Sequence, residues 1–231
     1  MKLTLRVLCA LLRYPDAAVC GGTAELAEAL ATDGVLNLGQ RASLDPLLRH
    51  LAASELLDAQ EAYGVLFDRG RALSLHLFEH VHGESRDRGQ AMVDLRERYV
   101  AQGLEITANE LPDYLPLFLE YLSVLSPAQA LEELAQPGVI LSALAGRLEE
   151  KGTPYAAPLR ILADLAGAGG EAFEIAPADD PDDLAQLDAA WEEEQVRFDA
   201  PQPPGTADCP QVAAMVDRMR SPQELRSPIH G

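Results

Sequence analysis

At 231 residues and a net charge of −19, the chain is long enough for one domain with a full core, and its acidity disfavours nucleic acid phosphates and anionic lipid as partners. Cys9, Cys20 and Cys209 stand far apart with no CxxC pair, which argues against a disulfide framework, an iron–sulfur site or a structural zinc and fits a reducing cytosol. Leu and Ala dominate over Val, Ile and Thr, and no window alternates apolar with polar residues, so the expected class is all-α, a single globular bundle of about eight to eleven helices.

In chain order, Leu5, Leu8 and Leu12 keep helical spacing until Tyr14-Pro15-Asp16 stops the first helix. Arg6-Val7-Leu8-Cys9 has a faint lipoprotein look. However, Leu8 stands where a small residue is needed, and Arg13 ends the apolar run after six residues, too short for a signal sequence or a membrane span. The protein is therefore expected in the cytoplasm. A second helix is predicted over residues 25–31. Asp45-Pro46 reads as the start of another, whose apolar positions continue to Phe67.

A break near residues 68–70 precedes the apolar segment 73–81, which Gly83 should terminate, and Ser85 can cap a helix that ends at Gly103. With Asp113 as N-cap, Pro116 falls in the first turn, where its missing N–H costs nothing, and the helix runs to Leu125. Ser126-Pro127 with Gln129 forms a capping box, followed by helices over residues 139–149 and 158–166.

Asp180-Pro181 caps a last acidic helix through Trp191 to Phe198. Residues 171–199 hold eleven acids against one Arg, a net −10, which suits either a solvated face or the attraction of a basic partner. Beyond Asp199 the composition turns to PQPPGTADCP and SPQELRSPIHG. The expected organisation is a helical domain over residues 1–198 and a Pro-rich flexible tail over 199–231.

Two stretches concentrate chemistry. On the helix of residues 113–125, Asp113, Pro116, Glu120 and Ser123 share one stripe, while large apolar residues cover the rest. That stripe is either a solvent-facing edge or one wall of a groove offering Asp113 and Glu120 to a cationic ligand. In LFEHVHGES, His76 and His80 are four apart, a permissible metal-ligand spacing on a helix, with Glu84 or Asp87 as further candidates. No HExxH and no His-Asp dipeptide occurs, and hydrogen bonds from His80 and His82 that pin the helix end are the competing reading. Gly167-Ala168-Gly169-Gly170 follows a helix rather than a strand, so no phosphate-binding turn is read there, and no GxSxG elbow is present.

LLRYPDA, YGVLFDRGRALSLHLFEHVHGESRDRGQAMVDL, LPDYLPLFLEYL and WEEEQVRF together resemble the NarJ-type respiratory nitrate reductase assembly chaperones, part of the wider TorD/DmsD/NarJ family of redox-enzyme maturation chaperones. The resemblance covers residues 1–198 and implies an all-helical protein without cofactor, metal or catalysis of its own. It implies binding of the N-terminal segment of the nitrate reductase catalytic (alpha) subunit, which keeps that subunit competent for molybdenum cofactor insertion and delays its membrane attachment. Carried over by position, the peptide-binding candidates are Phe78, Glu79, His80, His82, Glu84, Pro112, Asp113, Tyr114, Phe118, Glu120 and Tyr121. The wider family usually has His after the Pro-Asp pair. Tyr114 stands there in this chain and carries no charge near neutrality, which puts any role of that His in question.

The mode expected is an amphipathic client helix laid in an apolar groove, with basic client residues meeting acids at the rim. Nucleic acid and direct membrane insertion are not expected, and the oligomeric state expected is a monomer or weak homodimer. The alternatives are a chaperone for a dimethyl sulfoxide or trimethylamine N-oxide reductase, a helical metal-dependent hydrolase using His76, His80, His82 and Asp87, or a generic adaptor acting through residues 171–199.

Overall fold

A computed structural model of the protein describes residues 1–81, 86–106 and 110–168, with Arg86 and Asp87 described in backbone only. The expected acidic helix, Trp191 and the tail lie outside the described residues. Within them the chain is all-helical. It forms α1 (Lys2–Leu12), α2 (Ala17–Gly21), α3 (Thr23–Asp33), α4 (Leu38–Ala53), α5 (Leu56–Phe67), α6 (Arg86–Ala101), α7 (Leu115–Leu122), α8 (Pro127–Ala135), α9 (Gly138–Glu150) and α10 (Ala156–Leu165). Two short 3-10 turns, Arg71–Leu73 and Leu77–His80, stand between α5 and α6. None of the described helices is long and apolar enough to cross a membrane.

The core follows from the Leu spacing of α1. Leu5, Leu8, Leu11 and Leu12 are buried and pack α1 against α7 and α3. Six of the eight residues of α7 are buried, as expected for a helix with almost no polar face. Helices α9 and α10 close the other side through Leu141, Leu144, Leu159 and Leu162, with α4 against α10. Each such Leu contributes about 1.5–3 kcal/mol by leaving water. Helix α6 differs, since Leu95 and Tyr99 are its only buried side chains among the described residues.

Several local expectations hold. Ser126 and Gln129 form the reciprocal capping box at α8, and Gly103 takes the left-handed conformation (φ 74°) just past α6. Three do not. Pro46 lies inside α4 instead of opening it, because Asn37 and Gln40 form a capping box earlier in the chain: Gln40 N–H donates to Asn37 Oδ1 at 2.9 Å and Asn37 N–H to Gln40 Oε1 at 3.1 Å. Pro46 and Ala42, whose carbonyl loses its partner, are both exposed, so water can satisfy that carbonyl. The apolar run is also interrupted, with α4 ending at Ala53 and α5 starting at Leu56.

The segment 73–81 forms no α-helix. Its two 3-10 turns flank an extended stretch that makes an isolated antiparallel bridge, His76 to Tyr114. Correspondingly, Asp113 is not the cap of α7. Tyr114 holds the N-cap position and Pro116 lies in the first turn.

A proline on the exposed face of a helix interior costs stability that alanine recovers. Pro46→Ala should raise the unfolding free energy by about 1–2 kcal/mol, after allowing for the stiffer unfolded chain that proline gives. Urea denaturation checks this, and an unchanged or lower midpoint would show that α4 does not continue through this position.

Candidate functional site

The candidate site forms where residues 75–80 meet the start of α7. Two backbone bonds make the bridge: Leu115 N–H donates to the Leu75 carbonyl at 2.8 Å and Leu77 N–H to the Asp113 carbonyl at 3.0 Å. The Asp113 side chain, fully buried, completes the clasp by accepting from Phe78 N–H at 3.0 Å (Oδ2) and facing His76 Nδ1 at 3.3 Å (Oδ1). A carboxylate only accepts, so His76 Nδ1 carries the proton. That hydrogen bond raises the His76 pKa above 6.5 against the opposing effect of burial. His80 Nε2 donates to the Ser74 carbonyl at 2.8 Å, and burial lowers its pKa. Arg147 Nη1 donates to the Ala72 carbonyl at 2.7 Å, tying the same segment to α9.

Three hollows surround this clasp. The first, about 230 Å³, is an apolar cleft between Leu77, Phe78 and Val81, α6 (Leu95), α7 (Phe118) and the start of α9 (Ile140), with Asp94 and the Arg98–Glu133 ion pair at its edge. The second, about 300 Å³, lies on the other side of α7. Its floor includes Leu104, Pro116 and Leu117, and its lining carries Glu105, Glu110, Glu120 and Arg13. Cys9 lines the same hollow as a neutral thiol, its pKa pushed up to about 11 by burial and then by Glu120. The third, about 240 Å³, is walled by Tyr14, Tyr63, Phe67, His76 and Tyr114. Tyr63 donates to the Leu12 carbonyl at 2.8 Å, which leaves Tyr114 to donate to the Tyr63 oxygen at 3.2 Å.

The candidates named from sequence fall into distinct places. Phe78 and Phe118 meet in the apolar cleft. Tyr114 and Glu120 line the second hollow, and Tyr114 also lines the third. Tyr121 is buried and stacks on Tyr99 at 4.8 Å, with Phe118 at 6.2 Å. Glu79 is half-buried and pairs with Arg88 at 3.4 Å, and the Pro112 carbonyl accepts from Tyr99 Oη at 2.7 Å. His82 and Glu84 lie outside the described residues.

Asp113 is the main revision. It is fully buried and forms no solvent-facing edge, and its side chain serves as an internal fastener between residues 76–78 and the start of α7. The shared helix face of His76 and His80, on which the metal reading leaned, does not form, since the two rings are tied to Asp113 and Ser74 instead. Residues missed from sequence include Val81, Leu95 and Ile140 of the cleft, and Tyr14 and Glu110. Tyr14 enters the sequence reading only as part of a helix stop, and Glu110 stands just before the LPDYLPLFLEYL stretch.

His76 and His80 predict opposite titrations. The stability His76 contributes is fully present below about pH 6.5 and is lost as pH rises through its raised pKa. That of His80 is present above about 6.5 and is lost as pH falls through its lowered pKa. Proton NMR should find His76 above and His80 below 6.5, with Asp113→Asn bringing His76 down. Two rings titrating together at 6.5 would contradict the clasp. Asp113→Ala should cost about 2–4 kcal/mol by calorimetric unfolding, because it strands the Phe78 N–H.

Comparison with known proteins identifies the family. The chain matches the family described as nitrate reductase delta subunit over residues 16–160. It is 48% identical over 198 residues to the nitrate reductase molybdenum cofactor assembly chaperone NarJ of Escherichia coli, covering 84% of each chain. It is 44% identical over 199 residues to the "Probable nitrate reductase molybdenum cofactor assembly chaperone NarW" of the same species, covering 84% of this chain and 83% of the relative. Among solved structures, a "Putative Redox Enzyme Maturation Protein" from Archaeoglobus fulgidus shares the fold, with a TM-score of 0.53 and 20% identity over 72% of this chain and 94% of that one. The resemblance read from the His-rich stretch and the helix after it is borne out, and the chain belongs to the nitrate reductase delta subunit family.

Proposed function

We propose that this protein is a maturation chaperone for a respiratory nitrate reductase. It binds the N-terminal segment of the catalytic (alpha) subunit in the cytoplasm, keeps that subunit competent for molybdenum cofactor insertion, and delays its attachment to the membrane anchor. The chain performs no chemistry itself and acts as a monomer or weak homodimer. The observation that carries the reading is an apolar cleft open at the surface beside the clasp, in a chain whose relatives are named as assembly chaperones.

At about 230 Å³ the cleft has room for an anchor side chain of an amphipathic helix laid along the surface rather than engulfed by it. Leu77, Phe78, Leu95, Phe118 and Ile140 supply the apolar contacts, and Val81, 59% exposed, leaves part of the rim uncovered. Asp94 at the cleft edge, and Glu120 across α7, favour basic client residues. The net charge of −19 draws such a peptide in from a distance. Apolar burial sets how long the client stays, and the charges set how fast and how selectively it arrives.

Calorimetry with synthetic N-terminal peptides of nitrate reductase catalytic subunits tests this directly. Val81→Asp should weaken binding by about ten-fold or more, since it places a charge where an apolar contact belongs. Glu120→Lys should weaken it by roughly two- to five-fold, with a smaller effect at high salt, and Glu28→Lys on the outer face of α3 should leave it unchanged. Equal effects at all three positions, or no binding of any such peptide to the unaltered protein, would overturn the reading.

A further inference from the structure

The apolar cleft accounts for Phe78 and Phe118 but leaves the aromatic third hollow without a task. Its rings are held in place before any ligand arrives. Tyr63 is fixed by the Leu12 carbonyl, Tyr114 by Tyr63, and His76 by Asp113. Tyr14 meets Tyr63 edge-to-face at 5.6 Å, and Phe67 lies 4.7 Å from Tyr63. Tyr14 is 52% exposed, which leaves ring surface free at the mouth. Asp68 and Glu110 also line the hollow, both exposed and neither in an ion pair among the described residues.

Aromatic faces carry negative charge density, and two carboxylates beside them deepen the potential. At about 240 Å³ the space is too small for a helix, whose diameter with side chains is about 10–12 Å, and suits the end of one side chain. A planar guanidinium can stack on a ring while donating to both carboxylates; an ammonium can do so only as a point charge.

We propose that the hollow of Tyr14, Tyr63, Phe67 and Tyr114, with Asp68 and Glu110, is a receptor for one cationic side chain of a bound peptide, arginine before lysine. The identification of that peptide with the reductase N-terminus rests on the reading above; the chemistry of the hollow does not. The cation sits against the Tyr14 and Tyr114 rings with its N–H groups toward Glu110 and Asp68. This contact complements the apolar cleft by fixing which way along the surface the peptide runs.

Two experiments test it. In the first, tyrosine ring resonances are followed by NMR while the full-length protein is titrated with N-acetyl-arginine methylamide and with its citrulline counterpart, which keeps the shape and loses the charge. The arginine compound should shift the Tyr14, Tyr63 and Tyr114 rings saturably and bind at least about ten-fold more tightly than citrulline. No arginine-specific shift at these rings overturns the proposal.

In the second, each basic residue of the client peptide is replaced in turn by norleucine. One position should lose about ten-fold in affinity for the unaltered protein and nothing for Tyr14→Leu, while Tyr14→Phe behaves as the unaltered protein does. Equal losses for the unaltered protein and Tyr14→Leu at every position overturn it. A peptide that binds none of these proteins sinks the chaperone reading instead, and the arginine titration still decides the hollow.

Discussion

A single buried carboxylate, Asp113, organises the surface on which everything else depends. Residues 75–80 are rich in apolar side chains yet form no α-helix, so their backbone needs partners from elsewhere. Asp113 supplies them with both its carbonyl and its side chain, and Leu115 N–H returns a bond to Leu75. A buried acid without such partners would be costly. With Phe78 N–H and His76 at its two oxygens, it fixes the register of one segment against the other. The clasp therefore places Phe78 opposite Phe118, and the His76 ring 5.3 Å from that of Tyr114.

Helix α7 then acts as a ridge between unlike surfaces. On one side lies an apolar cleft and on the other an acid-lined hollow, with the aromatic hollow bordering the second through Tyr114 and Glu110. The Tyr99–Tyr121 stack stands where α6 meets α7, and Tyr99 is tied to the Pro112 carbonyl beside the clasp. A surface built this way can hold an amphipathic peptide by its apolar residues and orient it by its charges. Neither the cleft nor the acids would do both, since apolar contact is undirected and exposed charge pairs are weak.

What the sequence discloses and what it hides divide along the range of the interactions. The Ser126–Gln129 box, the stop at Gly103 and the apolar character of α7 are set by residues within one or two turns, and they read directly. The start of α4 is hidden because Asp45-Pro46 imitates a start signal, whereas the Asn37–Gln40 box opens the stretch NLGQRAS, whose Leu38 is 77% exposed and begins no apolar periodicity to announce it. The segment 73–81 misled for a deeper reason. Its apolar spacing fits a helix, and only a partner 35 residues later makes the extended form satisfiable. Asp113 itself reads as solvent-facing because carboxylates usually are. The contributions of Leu95 and Ile140 to the cleft carry no local mark at all, since they depend on how α6 and α9 approach α7.

The central claim is that the clasp region, and no other face, receives the amino-terminal segment of the nitrate reductase catalytic subunit. Amide chemical-shift mapping of the isotope-labelled protein with that segment, unlabelled, is the most direct measurement. The account predicts that the largest changes gather on residues 75–81, on the Leu95 and Tyr99 turns of α6, and along α7, with the outer faces of α3 and α4 unmoved. Changes gathered on α3 and α4, or a spectrum that the segment leaves untouched at saturating concentration, would contradict it.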